Sequence, residues 1–178
     1  MPDSNIMTIA QTGEAILACQ AKPVVTFDQA LVKLTEDMMA TMFAANGVGL
    51  AATQVFSDKA VFIMYSRPNE RYPSAPNTVP TIVINPKITA RSLAMESSIE
   101  GCLSIENERV AVFRHQHIKV MYQTLAGDVV EQQLSGFIAR IFQHEFDHLQ
   151  GITLLERMNM PDQVSALEQH NSGLQDVC

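Results

Sequence analysis

Two histidines, His144 and His148, stand four residues apart in the run HEFDH, with Glu145 directly after the first. On a helix, positions i and i+4 share a face, so both imidazoles can reach one metal ion. Glu145 then stands beside that ion without having to bind it. Two neutral ligands, an open position for water and a carboxylate able to take up its proton suit hydrolysis. The same pattern also arises by chance, as a solvated histidine pair. Local context favours the metal. Ser135 is a candidate N-cap and Gly151 a candidate C′ residue, which predicts a helix over about 136–150. Ile138, Ile141, Phe142 and Leu149 give that helix an apolar face. Polar groups on a core-facing helix need partners, and one cation satisfies both rings.

A catalytic site of this kind usually takes three protein ligands and a water. His115 and His117 alternate at the start of a strand and read as surface or half-buried residues. His170 falls in a polar tail, and Cys19 and Cys178 near the ends read as incidental thiols. Cys102 differs: it sits in EGCLS, a small turn-like segment with Gly101 beside it. A thiolate with two imidazoles suits Fe(II), Zn, Co or Ni rather than Mg or Ca. A plain buried cysteine is the alternative. A third segment, GVGLAATQ, has glycines on both sides of Val48, which lets the backbone approach a ligand closely. It follows a helix and lacks a third glycine in the right place, so it is not a dinucleotide loop. Its Gln54 is either a structural amide or a donor to a developing oxyanion. Glu100, Asp147 and Arg114 are candidates to hold the ligands from behind, or an ordinary ion-pair group. Arg140 reads as structural rather than substrate-facing.

These residues need elements to carry them. Phe27 to Ala45 predicts a helix, with Phe27, Leu31, Leu34, Met38 and Met42 in helical rhythm and Asn46-Gly47 as its stop. Ala60–Tyr65 and Thr81–Asn85 read as strands, the second ended by Pro86. Between them Ser66–Pro80, with four prolines, reads as an exposed loop. Further strands are expected at Ile88–Met95, Val110–Phe113, His117–Tyr122 and Val129–Leu134, with Gly127-Asp128 as a hairpin turn. Strands gathered between two long helices, without regular alternation, indicate an α+β fold. In it, mainly antiparallel strands pack around a central metal-binding helix, with a second helix toward the N-terminus. The 178 residues fit a single domain, with a polar, flexible tail from about 161.

Composition narrows the function classes. A net charge of −7, with no Lys/Arg cluster, argues against nucleic acid as a partner. No apolar run approaches a membrane span. The first twenty residues contain no Lys or Arg, unlike a secretory signal. Three cysteines make no disulfide framework, so a reduced, cytoplasmic setting is expected.

Taken together and in this order, GVGLAATQ, EGCLS and QHEFDH resemble the three signature motifs of the peptide deformylases. Weaker similarity extends over Ile16-Leu17, Pro23-Val24, Ile84-Asn85-Pro86 and LQGITLLERM at Leu149 to Met158. The resemblance implies a metal-dependent amidohydrolase that removes the formyl group from the N-terminal methionine of nascent polypeptides and releases formate. It implies that Cys102, His144 and His148 hold one divalent ion, physiologically Fe(II), with Zn, Ni or Co able to substitute. Glu145 resembles the family's general acid/base, and the Gln54 side chain and Leu103 backbone N–H resemble its oxyanion donors. Val48, Gly49 and Gly101 match the edges where substrate backbone adds as a strand. Arg109, Phe137 and Ile141 fall where the methionine pocket is expected. The implied partners are N-formylmethionyl nascent peptides, with transient ribosome association, and the chain is expected to be monomeric.

The sequence also departs from the family pattern. GEAILA replaces the usual proline- and arginine-containing N-terminal stretch, Glu106-Asn107 replaces a Pro-Gly pair, and the Ser66–Pro80 loop is long. No long charged C-terminal helix is legible, which counts against ribosome docking through such an element. Two alternatives stand beside the amidase: a zinc endopeptidase, which shares the His-Glu-x-x-His pattern, and a non-enzymatic relative that binds metal or nascent chains.

Overall fold

A computed structural model describes residues 4–70 and 72–175; Cys178 lies outside them. Helix α1 spans Gln29–Ala44, two residues inside the expected start. Asp28 sets that start: its carboxylate accepts from the Leu31 N–H at 2.9 Å, satisfying a donor that the first turn leaves unpaired. Leu31, Thr35, Met38 and Met42 form its buried stripe. The GVGLAATQ segment becomes a short strand β1 (Gly49–Ala51) and a 3-10 turn (Ala52–Val55).

Strands β2 (Val61–Met64), β3 (Thr81–Arg91), β6 (His117–Gln123) and β7 (Val129–Ser135) join β1 in a five-stranded antiparallel sheet of order β1-β2-β3-β6-β7. Strands β4 (Met95–Gly101) and β5 (Arg109–His115) form a separate antiparallel pair. Helices α2 (Gly136–Leu149), α3 (Leu154–Arg157) and α4 (Pro161–Gln175) follow. The α+β class, with mainly antiparallel strands packed around the central helix α2, matches the expectation.

The strand boundaries need correction. Pro86 does not end β3. The register shifts between Ile84 and Lys87, so Pro86 sits at an irregularity where no ladder donor is required. What read as a strand over Ile88–Met95 is the end of β3, a turn, and the first residue of β4. The polar tail from about 161 forms helix α4. Pro161 opens it, where a missing N–H costs nothing, and Asp162 lies in its first turn. Gln163 then pins it: its amide donates to Phe113 O at 2.9 Å and accepts from Phe113 N at 2.7 Å. Gln143 of α2 does the same for His115, at 2.9 and 3.1 Å. Two side-chain amides thus close the open edge of β5 as a neighbouring strand would.

The β1–β2 part of the large sheet is buried on both faces. Phe62 and Val83 point toward α2, where they meet Ile118, Val120, Phe142 and Leu149. Their neighbours Val61, Ile63 and Ile84 point the other way, to Leu31, Met38, Met42 and Leu50. Period-2 alternation explains why VFIM, buried at all four positions, serves two cores. Phe62 and Phe142 meet edge-to-face at 5.0 Å. Each such buried side chain contributes roughly 1.5–3 kcal/mol by its removal from water. Together they fix α2, and with it the metal-ligand candidates, against the sheet.

Candidate metal centre

α2 delivers His144, Glu145 and His148, and the turn after β4 delivers Cys102. The Cys102 sulfur and one nitrogen from each histidine lie within 4.8 Å of one another. Cys102 Sγ is 3.2 Å from His148 Nε2, and the two imidazole centroids are 5.1 Å apart. The EGCLS and QHEFDH segments thus meet at one point.

A chain of charges holds the cluster from behind. His144 Nδ1 donates to Glu100 Oε2 at 2.9 Å, which leaves Nε2 as the coordinating nitrogen. Glu100 also accepts two bonds from Arg114, both at 3.0 Å, and one from Arg140 at 2.7 Å. Arg114 reaches on to Asp147, and Asp147 to Arg157. Glu100, Arg114 and Asp147 are all buried. Burial alone would raise the Glu100 pKa, but the charge of Arg114 and the His144 bond hold it far below the usual carboxylate range. Glu100 bonds His144 directly, and Arg114 joins Glu100 to Asp147, so the three form one buried ion-pair group behind His144. Arg140 is structural, since its guanidinium also donates to Val112 O at 3.0 Å and Glu96 O at 2.6 Å.

Burial also opposes ionisation of Cys102, yet the His148 charge and the bonds to both histidines pull its pKa well below the ordinary thiol value. Against its own burial, His144 is raised by its bonds to Cys102 and Glu100. These contacts favour the thiolate, the form that binds metals. A Cys–His–His donor set whose ligand atoms converge within 4.8 Å fits one divalent cation of the borderline-soft group.

Glu145 is buried, and its Oε2 finds no partner. Burial pushes its pKa up to about 7, against the pull of His144 and His148. It presses on Gly49: a Cβ added there would lie 2.1 Å from Glu145 Oε1. Only glycine fits at that point of β1. Gly101 is different, since a Cβ would meet Arg109 Cγ at an ordinary 3.5 Å.

Gln54 is buried rather than a surface amide. Its Oε1 accepts from the Ala51 N–H at 2.9 Å, which turns its Nε2 toward Cys102 Sγ (3.5 Å) and Ser104 Oγ (3.0 Å). A pocket opens beside these groups, lined by Val48, Gly49, Gly101, Leu103, Phe137 and Ile141. Arg109 does not line it. Its guanidinium lies 5.2 Å from the ring of Tyr72, which does. The sequence reading missed Tyr72 and Asn69, which reach the pocket from the proline-rich loop, and the buried hydroxyl of Ser104. A lone aromatic in a polar loop was the available signal for Tyr72.

The model of the polypeptide deformylase family matches residues 6–164. The chain belongs to the peptide deformylase family. It is 57% identical over 157 residues to peptide deformylase 2 of Shewanella oneidensis, covering 88% of this chain and 87% of the relative. The class I type b peptide deformylase of Acinetobacter baumannii, solved with Met-Ala-Ser bound, superposes with a TM-score of 0.85 at 46% identity, over 87% of this chain and 99% of that one. The peptide deformylase of Thermotoga maritima superposes with a TM-score of 0.78 at 40% identity, over 86% and 97%. The deformylase family is metal-dependent, and no helix among the described residues is long and apolar enough to cross a membrane.

Proposed function

We propose that this chain is a cytoplasmic, monomeric deformylase whose substrates are N-formylmethionyl nascent peptides, with Cys102, His144 and His148 holding Fe(II). The convergence of one sulfur and two imidazole nitrogens beside Glu145 carries this reading. Zn, Ni and Co suit the same donor set. When bound, the cation supplies Lewis acidity, acidifying a water and polarising the formyl carbonyl.

The chain's own groups do the rest. Glu145, poised by burial near neutrality, takes a proton from the attacking water. As the C–O bond forms at the formyl carbon, charge develops on the carbonyl oxygen. The Gln54 amide, oriented by its bond to Ala51, and the Leu103 N–H stabilise that oxygen; one such donor is typically worth about 3 kcal/mol of barrier. Glu145 returns the proton to the leaving amine as the C–N bond breaks. Formate and a free methionyl terminus result. The formyl carbon carries only hydrogen, so a tight oxyanion site excludes acetyl groups by size. Val48, Gly49 and Gly101 offer backbone edges for the substrate strand, and Phe137 and Ile141 receive its first side chain.

The test offers formyl-Met-Ala-Ser and acetyl-Met-Ala-Ser to enzyme prepared anaerobically with Fe(II) or Ni(II). Formate from the first peptide alone is expected. Internal peptide-bond cleavage would point instead to an endopeptidase, and no turnover to a binding protein.

A further inference from the structure

The geometry points to Tyr72 as a specificity-determining residue, the outer wall of the pocket that takes the substrate's first side chain. This inference rests on the deformylase reading above and goes beyond it, because Tyr72 lies in none of the three motif segments. It comes from the loop between β2 and β3, and that loop is built rather than loose. Buried Ser66 donates its N–H to Thr78 Oγ1 at 2.9 Å and its hydroxyl to Pro76 O at 2.6 Å, cross-bracing the loop's two ends. Within it, the Tyr72 N–H donates to Asn69 Oδ1 at 2.9 Å, and the Asn69 N–H returns a bond to Tyr72 O at 3.2 Å. This small turn sets the ring's direction.

The ring packs on Phe137 of α2, centroid to centroid at 4.8 Å, and the Arg109 guanidinium lies 5.2 Å from its centre. Phe137, Ile141 and Tyr72 line the same pocket as Cys102, His144 and Glu145. An unbranched thioether fits a slot walled by aromatic rings, and its sulfur gains contacts at ring edges. A bulky aromatic first side chain meets Tyr72 before it can lie flat. Arg109 touches the ring rather than the cavity, so it acts as a positioning residue that braces Tyr72.

The experiment measures kcat and KM of metal-loaded wild type and Tyr72→Ala with formyl-Met-Ala-Ser and formyl-Phe-Ala-Ser. The expected result is a KM for the methionine peptide raised roughly tenfold with kcat little changed, and a Phe/Met ratio of kcat/KM raised at least about tenfold. Tyr72→Phe should keep the wild-type profile. Arg109→Ala should shift it in the same direction by less, and should add nothing in the Tyr72→Ala background. A second readout needs no turnover. The chain has no tryptophan, so Tyr72→Trp places a single reporter at the wall. Its emission should respond to Met-Ala-Ser and not to Gly-Ala-Ser. An unchanged Phe/Met ratio in Tyr72→Ala, or emission indifferent to Met-Ala-Ser, overturns the assignment. If wild type deformylates formyl-Met-Ala-Ser while either of those holds, only the role of Tyr72 fails. If wild type is inactive on every formyl peptide, the deformylase reading fails, and the emission titration still decides whether Tyr72 walls a methionine pocket.

Discussion

Glu145 Oε1 lies where a side chain on Gly49 would begin. Replacing Gly49 by Ala forces a Cβ to 2.1 Å from Glu145 Oε1, so the carboxylate must move. Gly49→Ala should lower kcat by two orders of magnitude or more, on the scale of lost catalytic positioning, with metal content by elemental analysis unchanged. Near-normal turnover would mean that the carboxylate's placement is not critical. Burial also makes Glu145 costly. Its pKa is raised from 4.5 to about 7, which corresponds to roughly 3 kcal/mol against the folded, metal-free chain when the group is charged. The folded value exceeds the unfolded one, so this cost is full above about pH 7 and gone below 4.5. Glu145→Gln should therefore raise metal-free stability at pH 8, by denaturant titration, and give no such gain at pH 4. In wild type, kcat/KM should fall on acidification as Glu145 takes up a proton and can no longer act as base. A neighbouring cation favours the carboxylate, which places that limb below 7.

The elements carry the ligands through a buried charge network rather than through apolar packing alone. Arg114 on β5 joins Glu100 on β4 to Asp147 on α2, and all three are buried. Arg114→Met leaves two buried carboxylates without their main partner, and one of them holds His144. The expected cost is about 3–5 kcal/mol, together with weaker metal retention in a chelator competition. A loss under 1 kcal/mol would show that Arg140 and Arg157 suffice. How much of this was legible follows from the patterns. Helix α2 announced itself by flanking Ser135 and Gly151, an apolar face and the histidine spacing, although the Ser135 side chain makes no capping bond, and β2 by an apolar run. β4 did not, because Glu96 to Ile99 are all exposed and show no alternation. Pro86 misled because a bulge absorbs it, and α4 because its hold is an amide pair and a small buried Ala166 rather than a wide apolar stripe. The grouping of Cys102, His144 and His148 was readable from residue type and spacing, whereas the place of Tyr72 at the pocket depends on the path of the loop, and only its being a lone aromatic there hinted at it.

At the scale of the molecule, strands β1 and β2 are buried between α1 on one side and α2 on the other, and the Cys102, His144 and His148 group bridges α2 to the small β4–β5 pair. A cation bound there ties two separately hydrogen-bonded units together and stabilises only the folded state. Stability should then rise with free metal as mass action requires, by about 2.7 kcal/mol at a hundredfold excess over Kd. Removing the ion with a chelator should lower Tm by several degrees, and restoring Ni(II) should recover it. A Tm indifferent to chelation would separate the fold from the centre.

The central claim is that Cys102, His144 and His148 share one cation. X-ray absorption at the nickel edge of the Ni(II)-loaded protein tests it directly. The account predicts one sulfur and two imidazole nitrogens around a single metal per chain, with the sulfur signal lost in Cys102→Ser. A coordination sphere without sulfur, or one unchanged by that substitution, would contradict it.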